Sequence, residues 1–252
     1  MTDLMLEQVT TGTTGGYKIN ATVEDGREVK REVSVRVAPD YDAESPREWD
    51  NLGTLVCWHR SYNLGDENID GYAVDEFLSG LACNLDARTE DRLWHWEDGQ
   101  GWAQLLNSTG DPVKASNEMQ AKIVDEVLDA NVVLLPVYIY DHSGITISTG
   151  PFNCPWDSGQ VGFIYTDRET ILKEHGRQRL TQKLRRKVAE VLKGEIKDLD
   201  AHLTGNVWWV SVEVDGEILD SCGGIIDDYG LPYCLELVNN ALRDFDVEVE
   251  LP

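Results

Sequence analysis

Few of the patterns that announce an enzyme are present in this chain. It has no GxGxxG, GxxxxGK(S/T), HExxH or GxSxG motif and no EF-hand loop, so nucleotide-hydrolysing, dinucleotide-dependent and zincin chemistries lose their usual sequence support. Its five cysteines, Cys57, Cys83, Cys154, Cys222 and Cys234, form no CxxC pair and no repeated spacing, which argues against a zinc ribbon and against a disulfide framework. Reduced thiols acting as small buried hydrophobes are expected, with Cys154, between Asn153 and Pro155, the least suited to that role. No run of about 18 apolar residues occurs, and the opening MTDLMLEQVTTGTTGG lacks the basic and apolar regions of a secretory signal. The expectation is a soluble, cytoplasmic protein with no membrane partner.

Positive charge is also scarce. Against 46 Asp and Glu there are only 22 Lys and Arg, a formal net charge of −24, which disfavours direct binding to DNA, RNA or an anionic membrane and favours cationic partners. Such acidity serves hydration in high salt, general solubility, or imitation of a polyanion, and composition leaves all three open. The few cations are not evenly spread. Lys173, Arg177, Arg179, Lys183, Arg185, Arg186, Lys187 and Lys193 face only Glu174 and Glu190 within 173–193, a local net charge of +6 that leaves −30 for the remainder. That segment either pairs internally with acidic neighbours or offers a contact face.

What the chain does contain is hairpins and amphipathic helices. Residues 1–16, rich in Thr and Gly, read as a flexible N-terminus, and 17–252 as a single domain with a possible sub-boundary in the acidic, Pro-containing stretch 39–51. Alternation about Asp25-Gly26 predicts a hairpin of 17–24 and 28–38, and Asp215-Gly216 predicts a second, of 206–214 and 217–221. Strands are expected over 54–60 and 132–140, with Pro136 marking a sheet edge or bulge. Helices are expected over 72–83, 88–96, 116–130, 178–203 and 232–245, with a further strand at the chain's end. Thr166-Asp167-Arg168-Glu169 has capping-box spacing, with Thr166 as the cap of a helix that stops at Gly176. Without βαβ repeats this order implies an α+β fold, a largely antiparallel sheet built from hairpins and covered by several helices.

The chemistry-bearing residues cluster at strand ends. An apolar strand has little reason to end in Asp141-His142-Ser143, nor its neighbour to begin after Trp156-Asp157-Ser158, unless a rigid frame holds loop polar groups in place. His59, with Asp66 and Glu67 just beyond, joins Asp141, His142 and Asp157 if the strands are neighbours. His59, Asp66, Asp141, His142 and Asp157 are then candidate ligands for a divalent metal that would activate water, although no cofactor is required by the spacing. A nucleophilic site would set Cys154 or Ser158 beside His142 or His59, with Asp141 or Asp157 orienting the imidazole. The plainer reading gives these side chains turn and cap hydrogen bonds. Eight tryptophans are many for this length. Most suit a core, while Trp58, Trp94, Trp96 and Trp156, beside Asp, Glu or His, are candidate binding residues together with Asp66, Glu67, Asp141 and Asp157.

Three blocks, CWHRSYNLGDE at 57–67, YDHSGITISTGPFNCPWDSGQVGFIYT at 140–166 and VWWVSVEVDGEILDSCGG at 207–224, resemble a family of uncharacterised bacteriophage- and plasmid-borne proteins. The last block departs from the family form, in which an aromatic pair follows the DSC turn where this chain has Gly223 and Gly224. The resemblance implies no catalytic residue. It implies an accessory protein of a mobile element, acting in the host cytoplasm, and hence a counter-defence (anti-defence) role. Acidity gives that role a physical route, because carboxylates spaced like phosphates occupy the basic groove of a nucleic-acid-binding host or defence-system protein as a DNA mimic. A metal-dependent hydrolase of a nucleotide or phosphodiester and a halophilic interaction protein are the alternatives.

Overall fold

The computed structural model describes residues 2–11, 14–24, 30–71, 74–83, 87–97, 99–128, 131–154, 156–226, 230–245 and 247–250. In chain order the elements are β1 (Thr2–Met5), β2 (Glu7–Thr11), β3 (Thr14–Glu24), β4 (Lys30–Pro39), β5 (Thr54–Cys57), β6 (Glu67–Asn68), α1 (Val74–Cys83), α2 (Ala87–Glu97), α3 (Gln100–Thr109) and α4 (Pro112–Lys122). A wider π-type helical stretch, Ile123–Leu128, extends α4. Then follow β7 (Val132–Asp141), β8 (Ile145–Ser148), β9 (Ser158–Asp167), α5 (Arg168–Glu174), α6 (Gln182–Leu203), β10 (Trp208–Val214), β11 (Glu217–Ile225), α7 (Gly230–Ala241) and β12 (Val247–Glu250). The fold is α+β. Every strand pair is antiparallel except β1 with β12 and β5 with β6.

The chain forms two compact units, Met1–Glu48 with Asp198–Pro252, and Trp49–Lys197. The sequence reading expected 17–252 as one domain with a possible sub-boundary at 39–51. The first crossing falls inside the suspected stretch 39–51, and the second lies within α6, where an unbroken apolar stripe gives no local sign of a boundary. In the first unit a five-stranded sheet runs β11-β10-β4-β3-β2. Alternation along β4 sends Val33, Val35 and Val37 inward, where they meet Val210, Val212, Cys234 and Val238 of α7, and Leu242 just after it. The N-terminal segment expected to be flexible instead supplies β1, β2 and the start of β3. Leu6 is 1% exposed, and its amide donates to Glu250 O at 2.9 Å. Asp25-Gly26 lies outside the described residues. Asp215 (φ 53°) and Gly216 (φ 83°) form the second hairpin turn as expected.

In the second unit the sheet order is β6-β5-β9-β7-β8. Adjacent β9 residues face opposite sides. Phe163 packs with α1–α4 in a cluster containing Leu78, Leu93, Leu105, Met119, Ile123 and Val127. Ile164 faces the other way, towards Leu192 of α6 beside Gly53. Pro136 sits where β7 has β9 on one flank and is not yet joined by β8, whose pairing begins at Tyr138, and a register shift follows at Val137/Tyr138. A missing ladder donor is tolerated at such a place. The cap of α5 is Asp167, not Thr166: its Oδ1 accepts the Thr170 amide at 2.9 Å and its Oδ2 the Thr170 hydroxyl at 3.1 Å. Thr166 remains in β9 and is 4% exposed.

Candidate functional site

The polar loops gather at one end of the second sheet. β9 begins there, β7 ends there, and β5 ends on the far flank of β9. Tyr140 lies opposite Ser158, and the Asp141 amide donates to Asp157 O at 2.8 Å. On the other flank Cys57 lies opposite Gly162, and the Trp58 amide donates to Val161 O at 2.9 Å. With β9 between them, β5 and β7 are about 10 Å apart.

That spacing keeps the candidate set in two groups. His59 serves its own turn: Nδ1 accepts the amides of Ser61 at 3.2 Å and Tyr62 at 3.1 Å, and the ring stacks on Tyr62 at 4.7 Å. An Nδ1 that accepts must leave the proton on Nε2, so neither nitrogen presents a free lone pair to a metal. Asp66 Oδ2 accepts the Leu55 amide at 2.7 Å and pins the start of β5. Glu67, exposed on β6, lies opposite Val56. Among the described residues no group of three or more His, Cys, Asp or Glu is placed to hold a metal ion. The five candidate ligands therefore do not assemble as the sequence suggested.

The second group does converge. His142 Nδ1 lies 3.4 Å from Asp157 Oδ2, and the Cys154 thiol donates to the same oxygen at 3.7 Å. The expected Cys–His–Asp relay is reordered, because the carboxylate stands between the other two. The thiol's hydrogen-bond partner is thus the carboxylate, whereas a Cys–His nucleophile pairs the thiol with the imidazole. Ser158 is spent too, its hydroxyl donating to Cys154 O. These contacts fasten Cys154 and Asp157 to the sheet end. Tyr140 completes the frame, its ring stacked on His142 at 6.0 Å and tilted against Phe152 at 5.9 Å. Ser143 (φ 60°) makes the tight β7–β8 turn, where the His142 amide donates to Gly144 O at 3.1 Å.

The frame holds Trp156 out in solvent at 91% exposure, with Asp157 next in the chain and exposed Asp141 bonded to it through the backbone. The other tryptophans differ. Trp58 is half-buried, tilted against Phe163 at 5.5 Å and packed against the core. Trp96 is half-buried, with Lys122 Nζ 5.6 Å above its ring. Trp94 is 64% exposed on α2 and is not built into this frame. Tyr140 and Phe152 were not singled out from the sequence, although spacing two residues before His142 on one strand face was the available signal for Tyr140.

A separate cleft of about 610 Å³ is lined by Asn131, Tyr165, Asp167, Arg168 and neighbouring side chains. Two of its residues have structural tasks. Asp167 caps α5, and the Arg168 amide donates to Asn131 O at 2.7 Å. Burial, then the carboxylates of Glu67 and Asp167, push the Tyr165 phenol above its ordinary value, while a hydrogen bond with Thr54 pulls it down. No helix among the described residues is long and apolar enough to cross a membrane. No family model matches this chain, and no curated protein or solved structure matches it either.

Proposed function

We propose that this is a non-enzymatic binding protein, an accessory product of a mobile element that acts in the host cytoplasm as a counter-defence inhibitor. It engages the basic, nucleic-acid-binding surface of a host or defence-system protein. The observation that carries this reading is Trp156, an aromatic side chain 91% exposed on a loop fastened by hydrogen bonds and ring contacts. Tryptophan is enriched among the residues that anchor protein interfaces, and one held on a fastened loop offers its ring without the cost of ordering it.

Its neighbours select the partner's charge. Asp157 follows Trp156 in the chain and is bonded through its carbonyl to the Asp141 amide, and an arginine or lysine meeting this turn gains both a carboxylate and an aromatic face. The net charge of −24 draws such a partner in from a distance. The metal-dependent hydrolase reading has no comparable support.

A pull-down tests the proposal. Immobilised protein is exposed to nuclease-treated host lysate, and the retained partner is challenged with duplex DNA. Release by DNA, together with at least about tenfold weaker retention by Trp156→Ala, is the expected result. Retention that duplex DNA does not disturb would overturn the polyanion-imitation reading.

A further inference from the structure

The basic segment of the second unit has a face of its own. Lys173, Arg177, Arg179, Lys183, Arg186 and Lys187 are exposed, and among the described residues no acidic side chain forms an ion pair with any of these six. Internal neutralisation, the plainer explanation for a cationic helix in an acidic chain, is met at Lys193, which bonds Glu190 at 2.7 Å, and not at these six. Arg185 is turned inward, its Nη1 donating to Val132 O at 3.1 Å.

Alongside lies a cleft of about 230 Å³. Gln182, Arg185 and Arg186 of α6 line it, and half-buried Val124, Leu134 and Leu135 contribute an aliphatic wall. A phosphodiester backbone would use the cationic rim and leave the aliphatic wall wet. A polyanion of that charge density is also repelled by the molecule's overall charge of −24. A protein segment in which Glu or Asp alternates with Leu, Ile or Val uses both halves of the cleft.

We propose that this face docks an acidic, aliphatic segment of a partner protein, with Arg186 and Lys187 reading its carboxylates and the wall of Val124, Leu134 and Leu135 its apolar side chains. These are different residues and an opposite partner charge from those of the Trp156 turn, so the two proposals stand or fall separately.

Fluorescence anisotropy of the full chain against three labelled probes tests it: a peptide alternating Glu and Leu, the same peptide with Ser for each Leu, and a single-stranded DNA oligonucleotide. The Glu–Leu peptide should bind most tightly. The exposed double variant R186E/K187E should weaken it by about tenfold or more, and Trp156→Ala should leave it unchanged. Circular dichroism on the double variant confirms that the fold is kept. Tighter binding of the oligonucleotide, equal binding of the two peptides, or an unaltered affinity in the double variant would each overturn the proposal.

Discussion

The imidazole of His59 and the carboxylate of Asp66 are occupied by backbone amides of their own loop and strand, a use that residue type alone does not distinguish from metal ligation. His142, Cys154 and Asp157 were legible as a group because they crowd one loop, but which stands in the middle depends on side-chain directions that sequence spacing leaves open. The tryptophans pose the same difficulty: Trp58 and Trp156 both adjoin polar residues, yet one packs against the core and the other is 91% exposed. Because Trp156 touches so little, Trp156→Ala should change stability by no more than about 0.5 kcal/mol, measured by urea unfolding, and so separate binding from folding. Tyr165 offers a pH test. Its pKa is raised in the folded state, so the folded chain holds the phenolic proton more tightly than the unfolded one. Its stabilisation is complete below the unfolded value of about 10 and is lost as pH rises through the folded value. Urea midpoints should therefore fall more steeply with rising alkalinity in the wild type than in Tyr165→Phe, and equal slopes would contradict the assignment.

At the scale of elements, hairpins and amphipathic stripes were readable because their cause is local. Val33, Val35 and Val37 alternate in β4, and Val188, Leu192, Ile196 and Leu199 of α6 are all buried. Helix α3 was not anticipated. Its N-cap is Gly99, without a side-chain cap bond, and its sequence, QGWAQLLNST, has no acidic first turn to mark a start. The cap at Asp167 in place of Thr166 shows the one-residue ambiguity of adjacent capping types, settled by the Asp167 carboxylate, which takes both the amide and the hydroxyl of Thr170. Gly162 has a packing role: an added Cβ would lie 2.5 Å from Val56 O. Gly162→Ala should spread β5 from β9 and cost about 1–3 kcal/mol by chemical denaturation. The first turn of α6 contains no acidic residue, so its cations sit at the positive end of the helix dipole. Lys183→Glu should raise stability by about 0.3–1 kcal/mol, and a loss instead would mean that Lys183 has a stabilising partner in the fold.

Over the whole molecule, the division into two units escaped sequence reading because the first unit is closed by pairings between distant segments. β1 joins β12 and β4 joins β10, and no local pattern reports such partners. The charge was legible in full, but its meaning depends on distribution. Asp198–Pro252 contains thirteen acidic residues and one basic residue, Arg243, whereas 173–193 is cationic. A chain so unbalanced is opposed by its own repulsion at low ionic strength, and binding of a cationic partner relieves part of it. The most direct test of the account is the affinity of an arginine-rich peptide for the wild-type protein and for Trp156→Ala, followed from low to molar salt. The account predicts wild-type binding that weakens steeply with salt and is about tenfold poorer in the variant. Equal affinity in the two proteins, or wild-type binding indifferent to salt, would contradict it.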